Sequence, residues 1–167
     1  MHAASLKEFS DVARRFIDWV DVEGAPPTAP DALRHLSDLY VAALALPNPW
    51  SPGLPEGDTE PAVPEQARRH AAVRASQLPI DAYWLVFDPL TNQPEAPVCG
   101  TLSDDISDVY SDVWRGLRLY DDARHAEALW EWGFNFRIHW GKHALSAMCA
   151  LHEHLSQEQP DGLSSDV

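Results

Sequence analysis

Between about Arg124 and Leu155 the chain carries apolar residues on nearly every side of a helix: Leu129, Trp130, Trp132, Phe134, Phe136, Ile138, Trp140, Leu145, Met148 and Leu151. A helix that is apolar all round has no face to give to water, so it belongs at the centre of a bundle with other helices around it. Gly133 and Gly141 interrupt the segment; they permit close helix contact, or one of them breaks it into two pieces.

The rest of the chain must then supply the surrounding helices. From Ser5 to about Val22, Leu6, Phe9, Val12, Ala13, Phe16 and Val20 follow the 3.6-residue period, with Ser5 and Glu8 as a capping box. Gly24 and Pro26-Pro27 stop this helix. A second helix is predicted from Asp31 to Leu46, with Pro30 suited to its first turn, an apolar stripe of Leu33, Leu36, Tyr40, Ala43 and Leu44, and Pro47 as its end. A third runs from about Pro64 to Gln77, and its Arg68, Arg69, His70 and Arg74 read as a solvated face that balances acids elsewhere. Ser103 can cap a further helix that runs to about Tyr120, with Asp104 and Asp105 complementing its dipole and Ile106, Val109, Tyr110, Val113, Trp114 and Leu117 facing inward. The apolar run Asp81–Phe87 is too short for periodicity to separate helix from strand. With helices on both sides and no evident partner strand it is read as a helix, and 88–100 as a loop.

These segments predict an all-α, single-domain bundle of about five to six helices with a long central C-terminal helix. A chain of 167 residues suits one domain, expected over residues 1–156, with 157–167 as a flexible polar tail. The proline-rich stretch 47–64 reads as an excursion within that domain, because the residues before it are too few to form their own core. Trp50 is expected to pin this excursion to the body; a binding lid is the alternative.

Composition excludes several classes. The formal net charge is −14, with 26 acids against 12 Lys and Arg, which argues against nucleic acid, since phosphate contacts need clustered cations. There is no signal-peptide h-region and no apolar run long enough to span a bilayer. Two cysteines make no disulfide scaffold, and a cytoplasmic location is expected. Cys99 follows a loop with no basic neighbour to activate it, and Cys149 is expected in the core. No G-x-S-x-G elbow, G-x-x-x-x-G-K-[ST] loop or G-x-G-x-x-G turn occurs. His152-Glu153-His154 is not the H-E-x-x-H zinc motif and reads as surface.

Three stretches carry a family resemblance: Leu102–Asp112 with Gly116-Leu117, Trp130–Ala144, and Tyr83-Trp84 followed by Phe87-Asp88-Pro89-Leu90. Together with Phe9, Phe16 and Trp19 in the opening helix, they resemble an uncharacterised bacterial family catalogued as domain of unknown function 5063. The resemblance covers most of the chain and is sharpest over 80–152. It implies an all-helical fold and no activity.

His139 and His143 are the candidates for chemistry. At i and i+4 on one helix their imidazoles can share a metal ion, and Trp132 and Phe136 extend the same stripe. Two histidines need a third ligand. Asp105, Asp108 and Asp112 lie at i, i+3 and i+7 on the preceding helix, flanking its apolar face, and an antiparallel packing would bring them to the pair. A two-His-plus-carboxylate site would take a divalent ion, zinc or iron, and suit a metal-dependent hydrolase or oxygenase. A structural or pH-sensitive His–Asp contact is the commoner arrangement of such residues.

The competing functional reading starts from charge. Residues 81–122 hold nine acids against Arg115 and Arg118, half the net charge of the chain, whereas 123–154 are balanced. Such a field would attract a basic protein partner, and a binding, interaction or regulatory module with an acidic face is the expectation. A metal-dependent enzyme is its alternative.

Overall fold

Helical spacing in the sequence becomes six helices among the described residues: α1 (His2–Asp21), α2 (Ala29–Leu44), α3 (Glu65–Ala75), α4 (Leu102–Asp121), α5 (His125–Ile138) and α6 (Trp140–Gln157). A ribbon of β1 (Ala82–Leu85) and β2 (Val98–Thr101) stands between α3 and α4 in chain order. The computed structural model describes residues 2–50, 61–90, 92–93 and 95–157, with side chains from residue 6 onward. Most of the proline-rich excursion, and the tail beyond Gln157, lie outside the described residues.

The fold is an all-helical bundle, but its central helix is α4 and not the C-terminal segment. α4 packs against α1, α3, α5 and α6. It buries Leu102, Ile106, Val109, Tyr110, Val113, Leu117 and Leu119, and with them Asp105, Ser107, Ser111 and Asp112. Those acids and serines give α4 the hydropathy of a surface helix, and only their internal partners allow them inside. The segment from Arg124 to Leu155 is correspondingly two outer helices, joined at His139, whose φ of −140° and ψ of −88° leave the helical region. Ile138 and Leu145 on this segment are exposed.

The joint is packed from inside. The Trp140 indole donates to the Trp132 carbonyl at 3.3 Å, and the Phe136 and Trp140 rings lie 4.8 Å apart. Gly141 follows the joint, where a Cβ would stand 2.2 Å from the Phe136 carbonyl oxygen. In an open helix Gly→Ala stabilises by up to about 1 kcal/mol. Here the clash with backbone wins: Gly141→Ala is expected to cost about 1–3 kcal/mol, a fall in Tm of roughly 2–10 °C by calorimetry. An unchanged or raised Tm would mean that the joint relaxes without cost. Gly133, by contrast, faces no helix; its nearest neighbour is the Pro47 carbonyl oxygen, at 3.4 Å from a built Cβ. Trp50 lies against Phe134 with ring centroids 6.1 Å apart and beneath the Arg137 guanidinium at 5.8 Å, so the start of the excursion rests on α5.

Five local expectations are corrected. Residues 82–85 are a strand, because Val98–Thr101, inside the stretch read as a loop, pairs with them antiparallel in the register Tyr83↔Gly100 and Leu85↔Val98. The cap of α4 is Thr101, whose hydroxyl accepts from the Asp104 amide at 3.2 Å. Ser103 is already within the helix, and Asp81 takes its amide at 2.8 Å. α1 likewise begins ahead of Ser5. Arg74 is buried and not part of a solvated face, donating to the carbonyls of Trp19 (3.3 Å) and Ala25 (3.0 Å). Cys149 is exposed, as is Cys99, because α6 turns that face outward.

Candidate metal centre

Five side chains meet where α4 runs beside the α5–α6 joint. Asp105, Asp108 and Asp112 recur every three to four residues along α4, so one stripe of that helix carries all three. His139 stands at the joint and His143 one turn into α6. The two imidazoles lie 4.8 Å apart, centroid to centroid, nearly edge to face. The i,i+4 relation assumed an unbroken helix; the rings meet across the bend.

Each histidine is held from behind by a buried carboxylate. His139 Nδ1 lies 2.7 Å from Asp112 Oδ2, and His143 Nδ1 lies 2.7 Å from Asp105 Oδ1. A carboxylate only accepts, so each Nδ1 carries the proton and, in the neutral ring, each Nε2 presents a lone pair. Both Nε2 atoms face the third acid: Asp108 Oδ2 is 3.9 Å from that of His139 and 3.5 Å from that of His143. One ligand atom each from Asp108, His139 and His143 falls within 4.8 Å of the other two. Bonds of about 2.0–2.2 Å to a tetrahedral zinc ion put ligand atoms about 3.3–3.5 Å apart; the His143–Asp108 pair, at 3.5 Å, already has that spacing, and the His139–Asp108 pair, at 3.9 Å, is close to it.

The carboxylates behind the histidines are anchored in turn. The Tyr83 hydroxyl donates to Asp105 Oδ2, which gives the ribbon a part in the site. The Arg115 guanidinium bridges Asp112 Oδ1 at 2.7 Å and Glu131 Oε1 at 3.1 Å, and Asn135 donates to the same Glu131 oxygen at 2.9 Å. Glu131 and Asp112 are each about 1% exposed, and burial of two carboxylates is tolerable only with such pairing. The three ligand candidates are more open: the side chains of His139, His143 and Asp108 are 42, 26 and 29% exposed.

The electrostatics follow this layering. The hydrogen bond to Asp105 raises the His143 pKa above the usual histidine value, and the charges of Asp105, Asp108 and Asp104 add to it against the opposing effect of burial. Burial pushes the Asp108 carboxyl up, with His143 and His139 pulling it back. Burial, then the bond to Asp105, raises the Tyr83 phenol.

Tyr83, Arg115, Glu131 and Asn135 were not singled out by sequence. Glu131 carried a signal, since it is a lone charge in the apolar run Leu129–Phe134 and so needs an internal partner. Tyr83 carries none, because a segment read as a helix gives no reason to place its hydroxyl at Asp105. His152 and Glu153 are exposed, apart from this cluster.

Fold and cluster together define a helical-bundle protein with a two-His, one-carboxylate arrangement set on a carboxylate-lined central helix. The chain belongs to the family described as Domain of unknown function (DUF5063), whose model matches residues 2–157. Its fold is shared with a crystal structure of protein BF1032 from Bacteroides fragilis, at a TM-score of 0.71 and 20% identity over 96% of each chain. No curated protein matches the chain. No helix among the described residues is long and apolar enough to cross a membrane.

Proposed function

We propose that the protein binds a divalent metal ion through His139 Nε2, His143 Nε2 and an Asp108 oxygen, and that the ion serves chemistry rather than folding alone. One observation carries this reading: both Nδ1 atoms are tied to buried carboxylates, leaving both Nε2 atoms aimed at the same Asp108 oxygen. Carboxylate–histidine pairs of this kind fix the tautomer and raise the basicity of metal-bound imidazole. Three protein ligands, all partly open to solvent, leave positions for water or substrate, as catalytic sites do and closed structural sites do not. A zinc or ferrous ion held there would act as a Lewis acid and lower the pKa of bound water.

Reading the acidic segment as a docking face for a basic protein draws less support. Asp105, Asp108 and Asp112 are committed to the histidines, Asp81 to the start of α4, and Asp121 to Arg14 at 2.6 Å. Asp88, Glu95, Asp104 and Asp122 are the exposed acids that this leaves in the segment.

The test is calorimetric titration of untagged, chelator-treated protein with zinc, iron(II), manganese, cobalt and nickel. One ion per chain is expected, with a rise in Tm, since ligand at 100 times Kd adds about 2.7 kcal/mol. No saturable binding of any of the five, with Tm unmoved, would leave the cluster a polar contact between helices.

A further inference from the structure

Beside Tyr83 the molecule holds a cavity of about 570 Å³, lined by β1 and its flanking residues and by α6. Its size is that of a small-molecule site. Ile80, Tyr83, Trp84, Leu85, Val86 and Leu145 make most of the apolar wall. Trp84 is 74% exposed, and Val86 and Leu145 are also open. Large apolar groups around a concave surface are what an apolar ligand body would cover.

The polar groups are uneven. Lys142 stands at the end of the cavity next to His143, while Glu153 and His154 line it further along α6. Lys142 is the one Lys or Arg on α6. Its ammonium donates to the Phe87 carbonyl and lies 3.6 Å from the Phe87 ring centroid, and among the described residues it has no carboxylate partner. In a chain of net charge −14, an ammonium at an apolar cavity with no ion-pair partner among the described residues is a specific feature. It has donor capacity left for an anion.

We infer that this cavity binds a small amphipathic anion, an apolar ring-bearing body against Trp84, Leu85 and Leu145 with its anionic head at Lys142. The inference needs no metal ion and stands without the metal reading. Tyr83 nonetheless joins the two places, for it lines the cavity and its hydroxyl holds the carboxylate behind His143.

The probe is 8-anilinonaphthalene-1-sulfonate, an aromatic anion that brightens when shielded from water, titrated in the presence of EDTA so that loss of the ion site cannot affect the result. Saturable binding of one dye per chain is expected. Lys142→Gln should weaken it about tenfold, the effect of losing one charge-assisted contact, and Leu145→Glu should abolish it. Both positions are exposed, so unchanged melting temperatures check the fold. The uncharged analogue N-phenyl-1-naphthylamine should bind wild type and Lys142→Gln alike. In a Cys99→Ser background, alkylation of Cys149, which lines the cavity, should slow several-fold when dye is bound. Absence of saturable binding, equal affinity of wild type and Lys142→Gln for the sulfonate, or undiminished alkylation of Cys149 would each overturn the inference.

Discussion

Replacing His143 with Ala is expected to abolish stoichiometric metal binding while leaving the protein folded. His143 supplies a ligand atom, whereas Asp105 acts from behind it. Loss of the ring should therefore cost more than the roughly 10–100-fold typical of removing an outer hydrogen-bond partner. Asp105→Asn and Asp112→Asn should fall in that outer range, because each leaves the imidazole in place but alters the group that orients it. The ordering His139→Ala and His143→Ala, then Asp108→Asn, then the two outer substitutions, is the signature of the arrangement; equal effects at all five positions would argue for unfolding instead. Proton competition adds a second readout. Asp105 holds the His143 pKa above the usual value near 6.5, and an ion must displace a proton from Nε2. Binding should be complete above that raised pKa and weaken as pH falls through it, with protons released on titration. Affinity that stays flat down to pH 5.5 would contradict a histidine ligand. In Asp105→Asn the onset of weakening should move to lower pH.

The largest effect on stability is expected at Gly116. A Cβ there would stand 2.1 Å from Trp132 Nε1 and 2.4 Å from Cδ1. That ring is fully buried, packs on Phe9 at 4.7 Å and donates from Nε1 to the Val113 carbonyl at 3.0 Å. It cannot slide aside without giving up the bond or the packing. Overpacking of cores typically costs about 1–3 kcal/mol, and truncating a buried Trp about 3–5 kcal/mol. Gly116→Ala should lie at or above the upper end of the first range, about 3 kcal/mol by urea unfolding, a large part of the stability of an ordinary domain. The double variant Gly116→Ala, Trp132→Ala should cost clearly less than the sum of the single changes, since the clash disappears with the ring. Additive losses would place the damage elsewhere.

How far the sequence could be read depended on which physical signal each part carried. The periodic helices α1, α2 and α4 were visible because each buries one apolar stripe, and the stripe survives in the order of residues. The ribbon was not visible. Its first strand is short enough to pass for helix, and its second, Val98-Cys99-Gly100-Thr101, has neither alternation nor length. The exchange of centre and periphery had a single cause. Hydropathy scores Asp105, Ser107, Ser111 and Asp112 as solvated, while the fold gives them internal partners. The bend at His139 left no proline to mark it, and Gly141, two residues later, reports it only through the backbone that passes close by. That these five side chains meet was legible from spacing, because three acids on one stripe and two nearby histidines leave few ways to pack antiparallel helices. The contacts that fix the acids were legible only in part: Arg115 meets Asp112 at i,i+3 on α4 itself, but Tyr83 reaches Asp105 from the ribbon and Glu131 meets Arg115 from α5, elements whose placement depends on the whole fold.

The bend between α5 and α6 gives the molecule a mechanical property. His139 belongs to the joint and His143 to the arm beyond it, so the distance between the imidazoles reports the angle of the bend. Rings pack at the same elbow, Tyr40 of α2 against Phe136 at 5.0 Å and Phe136 against Trp140 at 4.8 Å, and packing of this kind resists a change of the angle. Trimming that packing at Tyr40, a residue that touches none of the five site residues in the contacts above, would let the elbow flex and spread the imidazoles. An ion gripped across the elbow would in return stiffen it, so that grip and flexure oppose each other like the jaw and spring of a clamp.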